Sequence, residues 1–146
     1  MKPVLLALMF LSEEHRAQMA QSFELVYAPD SAQAAAAIAE HGARITVVLT
    51  IGATGLSAAQ IDALPNISLV CALGAGYENI AVAHAKARGI VVATGAGTND
   101  DCVADHALGL LIAAVRGIPR LDQLTRQGVW RTALPLPPNV SHKRLG

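Results

Sequence analysis

The chain has 146 residues, 53% hydrophobic, 15% charged and 3% aromatic, and its formal net charge is zero. That length suits one domain, or one domain and part of another. The apolar content excludes a disordered chain. No basic stripe is present for a nucleic acid, and no apolar stretch approaches the ~20 residues of a membrane span. Cys71 and Cys102 stand far apart and fit no CxxC or zinc spacing. They are expected as two buried thiols in a reducing cytosol, which places the protein in the cytoplasm.

The opening "MKPVLLALMFL" has the lysine and apolar run of a leader peptide. The run stops at Ser12, meets Glu13, Glu14, His15 and Arg16, and is followed by no clean A-x-A site, so it reads as a buried strand over 3–9. Ser12 then starts a helix with acids in its first turn, where the helix dipole favours them. A second strand is expected over 23–28. Asp30 or Ser31 caps a helix over 32–41, which Gly42 ends. "ITVVLT" (45–50) is β-branched and reads as a third strand. A short helix over 57–64 is stopped by Pro65, and a fourth strand runs over 69–73. Asn79 is expected to cap a helix that ends at Arg88, with Gly89 just beyond it. "IVVA" (90–93) is a fifth strand.

Continuous apolar strands with helices between them imply a parallel sheet covered on both faces. The count and spacing predict an α/β domain of the five-stranded, doubly wound, flavodoxin-like type over 1–98. Ligands of such folds sit at the carboxyl ends of the strands. The loops "IGATG", "GAGYEN" and "GAGTND" all fall on that edge.

From residue 99 the pattern changes. "TNDDCVADHALGLLIAAVRG" predicts a long helix, with Thr98 and Asp101 spaced as a capping box. Its apolar residues cover nearly the whole circumference, so it is expected to be buried on all sides, against another domain or another chain. Pro119 restarts the chain into a further short helix, so 99–128 reads as a pair of connecting helices. The remainder, 129–146, holds the stiff stretch "LPLPPN" and ends at "HKRLG".

The glycine loop admits several readings. A dinucleotide fingerprint needs a third glycine where this chain has Asn79, and the acidic residue expected about twenty positions on is not convincingly placed. Direct dinucleotide binding by this loop is therefore disfavoured. Gly74 and Gly76 serve either a tight strand–helix turn or a small-anion loop. In the second case the N–H groups of Ala75 and Gly76 face a carboxylate, in hydrogen bonds worth roughly 1.5–3 kcal/mol each. Elsewhere, His41 and His84 are expected on solvated helix faces, and Asp62 and Glu78 are isolated. No His pair has metal-ligand spacing, so no metal is expected. Strand three ends "LTIGA" and lacks the acceptor Asp of a phosphorylated receiver domain.

"LGAGYENIAVAHAKARGIVVATGAGTNDDCVADHALGLLIAAVR" resembles the NAD(P)-dependent D-2-hydroxyacid dehydrogenases. Gly74, Gly76, Asn79, Ile80, Gly89, Ile90, Val92, Val103, Ala104, Asp105 and Arg116 fall where that family's pattern asks. Ala81 stands in place of the usual Asp, and "ATGAG" (93–97) in place of N-x-P-G. The resemblance implies a two-domain enzyme acting on a small 2-oxo or 2-hydroxy acid of the glyoxylate, hydroxypyruvate or phosphoglycerate class. Ala75 and Gly76 would bind the substrate carboxylate, and Asn99 would contact the substrate more loosely. Val103 would lie beside the nicotinamide of NAD or NADP. The long helix would cross into the nucleotide domain and a homodimer interface. The family's catalytic Arg, Glu and His belong to the nucleotide domain, so no catalytic residue is expected among these 146. The sequence stops at Gly146, where "HKRLG" looks like the strand leading into the nucleotide turn. The expectation is a substrate half with no dehydrogenase activity alone. The competing expectation is a non-catalytic flavodoxin-like binding or dimerisation module.

Overall fold

A computed structural model describes residues 2–134 and 136–145. Five strands form a single sheet: β1 (Val4–Ala7), β2 (Glu24–Tyr27), β3 (Ile45–Thr50), β4 (Leu69–Ala72) and β5 (Val91–Thr94). All neighbours pair in parallel, in the order β2-β1-β3-β4-β5. This is the doubly wound flavodoxin-like order that the alternation of apolar runs and helices predicted.

The intervening helices are α1 (Glu13–Ser22), α2 (Ser31–His41), α3 (Ala58–Asp62) and α4 (Val82–Ala87). Alternation along the strands splits the core between the two sheet faces. Val4, Leu6, Val48, Val70 and Ala72 pack with Ala34 of α2, Ile61 of α3 and Ala85 of α4. Leu5, Ala7 and Leu49 pack with Met19 of α1. Burial of each such Leu or Val contributes about 1.5–3 kcal/mol. The apolar opening of the chain is thus a strand, with all four residues of β1 buried.

Helix starts follow local side-chain chemistry. The Ser12 hydroxyl accepts from His15 N–H, and the Asp30 carboxylate from Gln33 N–H. Ser57 and Gln60 form a full capping box on α3. Gly42 ends α2 as expected, with φ −51° and ψ −40°, still helical. Glycine is needed there for space, because a Cβ would lie 2.5 Å from Ile38 O and 2.7 Å from Ala63 O. Two other expected roles are corrected. Asn79 does not cap α4, whose N-cap is Ala81; its side chain donates to Ala53 O at 3.0 Å instead. Thr98 makes no capping box either, since its hydroxyl donates back to Gly95 O at 2.7 Å.

The chain divides into two compact units, one through Thr98 and one from Asn99. The second holds α5 (Asp100–Arg116) and α6 (Ile118–Arg126), then a 3-10 turn at Arg131–Ala133. Gly117, at φ 63°, ends α5 and caps α6, with Pro119 in the first turn of α6. The expectation that α5 is buried all round is not met within the chain, where none of its residues is buried. A helix that is apolar on every side exceeds what one short neighbour covers. No single helix among the described residues is long and apolar enough to cross a membrane.

Candidate functional site

Three loops leave the carboxyl ends of β3, β4 and β5, and hydrogen bonds join them edge to edge. The Thr50 hydroxyl, on the one buried polar residue among the described residues, donates to Gly55 O at 2.8 Å. That bond folds the loop after β3 back on itself, helped by Gly55 N–H donating to Ile51 O at 2.8 Å. Gly55 adopts φ 69°, and the Asn79 carbonyl lies against its α-carbon, so no side chain fits there. Leu56 N–H donates to Asn79 O, and Ala81 N–H to Leu56 O, giving one rung of parallel pairing between the loops. Gly95 N–H donates to Gly74 O at 2.8 Å and ties in the loop after β5.

Between these clamps runs Gly74-Ala75-Gly76. Gly74 has φ 90°, a conformation that costs a residue with a Cβ. Ala75 and Gly76 are exposed, and among the described residues no protein group accepts a hydrogen bond from either N–H. Exposed amides held in a rigid loop are available to a ligand with acceptor oxygens. Glu78, expected to be isolated, packs against the loop instead. A Cβ on Gly76 would lie 2.7 Å from Glu78 Oε2, and one on Gly52 would meet the same oxygen. Tyr77, with Val82, Val92 and Thr94, lines a shallow hollow of about 200 Å³ beside the loop.

The sequence-predicted residues fall into two groups. Ala75 and Gly76 lie together in the first unit. Asn99 and Val103 lie together in the second, where Asn99 is the N-cap of α5 and its carbonyl accepts from Val103 N–H at 3.0 Å. The Asn99 side chain makes no capping bond, and Val103 is 57% exposed.

Other candidate side chains are engaged structurally. His84 and Asp62, expected to be solvated and isolated, meet at 2.7 Å between Nε2 and Oδ1, joining α4 to α3. Arg88 donates to the Ile61 carbonyl at the end of α3 and lies 3.6 Å from Asp62. His41 sits 3.6 Å from Glu40. Cys71 is half-buried, and burial pushes its thiol pKa up. Cys102 is exposed, against the expectation of a buried thiol. Among the described residues no three His, Cys, Asp or Glu side chains converge as metal ligands.

The likeness to known proteins runs along most of the chain. Residues 5–137 match the model of the D-isomer specific 2-hydroxyacid dehydrogenase catalytic domain. D-3-phosphoglycerate dehydrogenase of Mycobacterium tuberculosis (strain ATCC 25618 / H37Rv) is 36% identical over 103 residues, 70% of this chain and 19% of that protein. Glyoxylate reductase of Korarchaeum cryptofilum is 28% identical over 134 residues, 91% of this chain and 40% of that protein. Among solved structures, a 2-hydroxyacid dehydrogenase from Ketogulonicigenium vulgare Y25 superposes with TM-score 0.84 at 30% identity, over 95% of this chain and 44% of that one. An NADPH-dependent glyoxylate/hydroxypyruvate reductase from Sinorhizobium meliloti, in complex with NADP and malonate, does so with TM-score 0.80 at 30% identity, over 99% of this chain and 44% of that one. The chain therefore spans less than half the length of these relatives. With its catalytic-domain pattern matched from residue 5 to residue 137, the chain belongs to the D-isomer specific 2-hydroxyacid dehydrogenase family.

Proposed function

We propose that this chain is the substrate-binding part of an NAD(P)-dependent oxidoreductase acting on a small 2-oxo or 2-D-hydroxy acid. The observation that carries the reading is the pair of exposed, unengaged amides at Ala75 and Gly76, on the carboxyl edge of a parallel sheet. A substrate carboxylate accepting from both N–H groups gains two charge-assisted hydrogen bonds, and the clamped loop loses little entropy in making them. Asn99 contacts the substrate, and Val103 offers an apolar side chain beside the nicotinamide.

The loop over 74–79 does not carry a dinucleotide fingerprint. Asn79 stands where a third glycine would admit helix–strand packing, and its amide is committed to Ala53 O. The nicotinamide supplies the hydride in such enzymes, and this chain's part is to bind and orient the acid. We therefore expect no turnover by these 146 residues alone, and a homodimer formed through α5. The second reading, a non-catalytic dimerising module, draws on the exposed apolar residues of α5.

Titration of the ¹⁵N-labelled chain with glyoxylate tests the loop. Shifts concentrated at the Ala75 and Gly76 amides support it, and a response scattered elsewhere or absent overturns it. A parallel assay of NADH oxidation with glyoxylate or hydroxypyruvate tests the division of labour. Turnover by the chain alone contradicts it.

A further inference from the structure

The loop offers two amides for an anion, yet the side chains around it are apolar. Leu73 immediately precedes Gly74 and is 58% exposed; Tyr77 immediately follows Gly76 and is 54% exposed. The charged side chain packed against the loop is the acid Glu78. On the same edge, the segment after β1 presents Phe10, 77% exposed.

Phe10 is not on a loose tip. Leu8 and Leu11 on either side are buried in the two halves of the core. Leu8 N–H donates to Leu49 O at 2.9 Å, Leu11 N–H to the Tyr27 hydroxyl at 3.3 Å, and Ser12 caps α1. The backbone that presents the ring is therefore held on both sides, while the ring itself remains in water. An exposed phenyl ring forgoes burial worth about 1.5–3 kcal/mol.

Strand order sets the spacing. β3 lies between β1 and β4, so the ends of β1 and β4 are two strand intervals apart, about 9.5 Å. The segment that carries Phe10 and the loop that carries Ala75 and Gly76 therefore leave the same sheet edge on either side of the end of β3.

We propose that Phe10 is a specificity-determining residue that selects acids with an apolar, aromatic or branched side group. Resting on the carboxylate reading of the loop, this narrows the substrate class to 2-oxo and 2-hydroxy monocarboxylates with an apolar tail. The carboxylate is read by Ala75 and Gly76, and the tail by Phe10. Acids with a phosphate or a second carboxylate gain nothing from this frame.

The test titrates the labelled chain with glycolate and with D-3-phenyllactate. The expected result is that both shift the Ala75 and Gly76 amides, that phenyllactate also shifts Phe10, and that it binds about tenfold more tightly. In Phe10→Ala the phenyllactate-to-glycolate affinity ratio falls towards one, and Phe10→Leu retains part of it. Equal affinities in the parent chain, or a ratio unchanged in Phe10→Ala, overturn the role of Phe10 while leaving the carboxylate loop standing. If neither acid moves Ala75 and Gly76, the carboxylate reading falls and this inference with it.

Discussion

Gly52 and Gly76 lie backbone against backbone. A Cβ on Gly52 would fall 2.6 Å from the Gly76 carbonyl carbon and 2.8 Å from its oxygen. Twenty-four positions apart in sequence, the two residues form a second close approach of the loops that follow β3 and β4, beside that of Gly55 and Asn79. The glycine loop thus keeps its shape by leaning on a second glycine that its own motif does not contain.

That contact predicts an asymmetry. Gly52→Ala must push backbone aside and is expected to cost about 1–3 kcal/mol, with loss of any ligand response at Ala75 and Gly76. Gly76→Ala meets the Glu78 carboxylate, the far end of a flexible and exposed side chain that can swing away. It is expected to cost much less. Urea denaturation of both variants checks the order, and equal losses would remove the argument.

Thr50→Val tests the fold of the loop after β3. The substitution keeps the volume and removes the buried hydroxyl that donates to Gly55 O. It leaves a carbonyl short of its donor inside the protein, at a cost of about 1–3 kcal/mol. The same urea series measures it. Thr50→Ser retains the donor and is expected to lose less.

Much of this architecture is legible in the sequence. "ITVVLT" is β3 to the residue, because a continuous β-branched run in a parallel sheet has no helical alternative. Ser12 starts its helix as expected, and of the two candidate caps Asp30 and Ser31 it is Asp30 that caps, since an N-cap bond spans only three residues. Several errors lie where the partner is remote in sequence. Asn79 is taken for a local cap but reaches Ala53. Asp62 and Glu78 look isolated because His84 and Gly52 reach them only through the fold. The α3–α4 adjacency expected of consecutive crossovers was the available signal for the Asp62–His84 pair. The Gly52–Gly76 contact had only the shared sheet edge to suggest it.

The two cysteines should differ in reactivity. Burial raises the Cys71 pKa above its ordinary value of 9.0, and Cys102 is exposed. Because the thiolate is the nucleophile, iodoacetamide at neutral pH is expected to modify Cys102 first. Mass spectrometry of partly alkylated chain locates the label. The same shift sets a pH dependence. The folded chain holds the Cys71 proton more tightly than the unfolded chain does. Its contribution to stability is therefore fully present below the unfolded pKa and is lost as pH rises through the folded value. Stability should decline in that alkaline window, and Cys71→Ala should flatten the decline.

The apolar surface of α5 makes the last prediction. Val103, Leu108 and Leu110 are each more than half exposed, and Ile112 is 36% exposed, on one 17-residue helix. Exposed apolar side chains at this density mark an interaction surface rather than ordinary solvent contact. The chain is expected to sediment as a dimer. Replacing Leu108 and Leu110 together by Glu removes two burials of about 1.5–3 kcal/mol each and places charges in the contact, so the variant should sediment as a monomer. Because these residues belong to the second unit, the sheet of the first should survive, with an unchanged circular-dichroism signal and unchanged shifts for β1 to β4. A parent chain that stays monomeric at every accessible concentration, or a double variant that still dimerises, would show that α5 is not the contact.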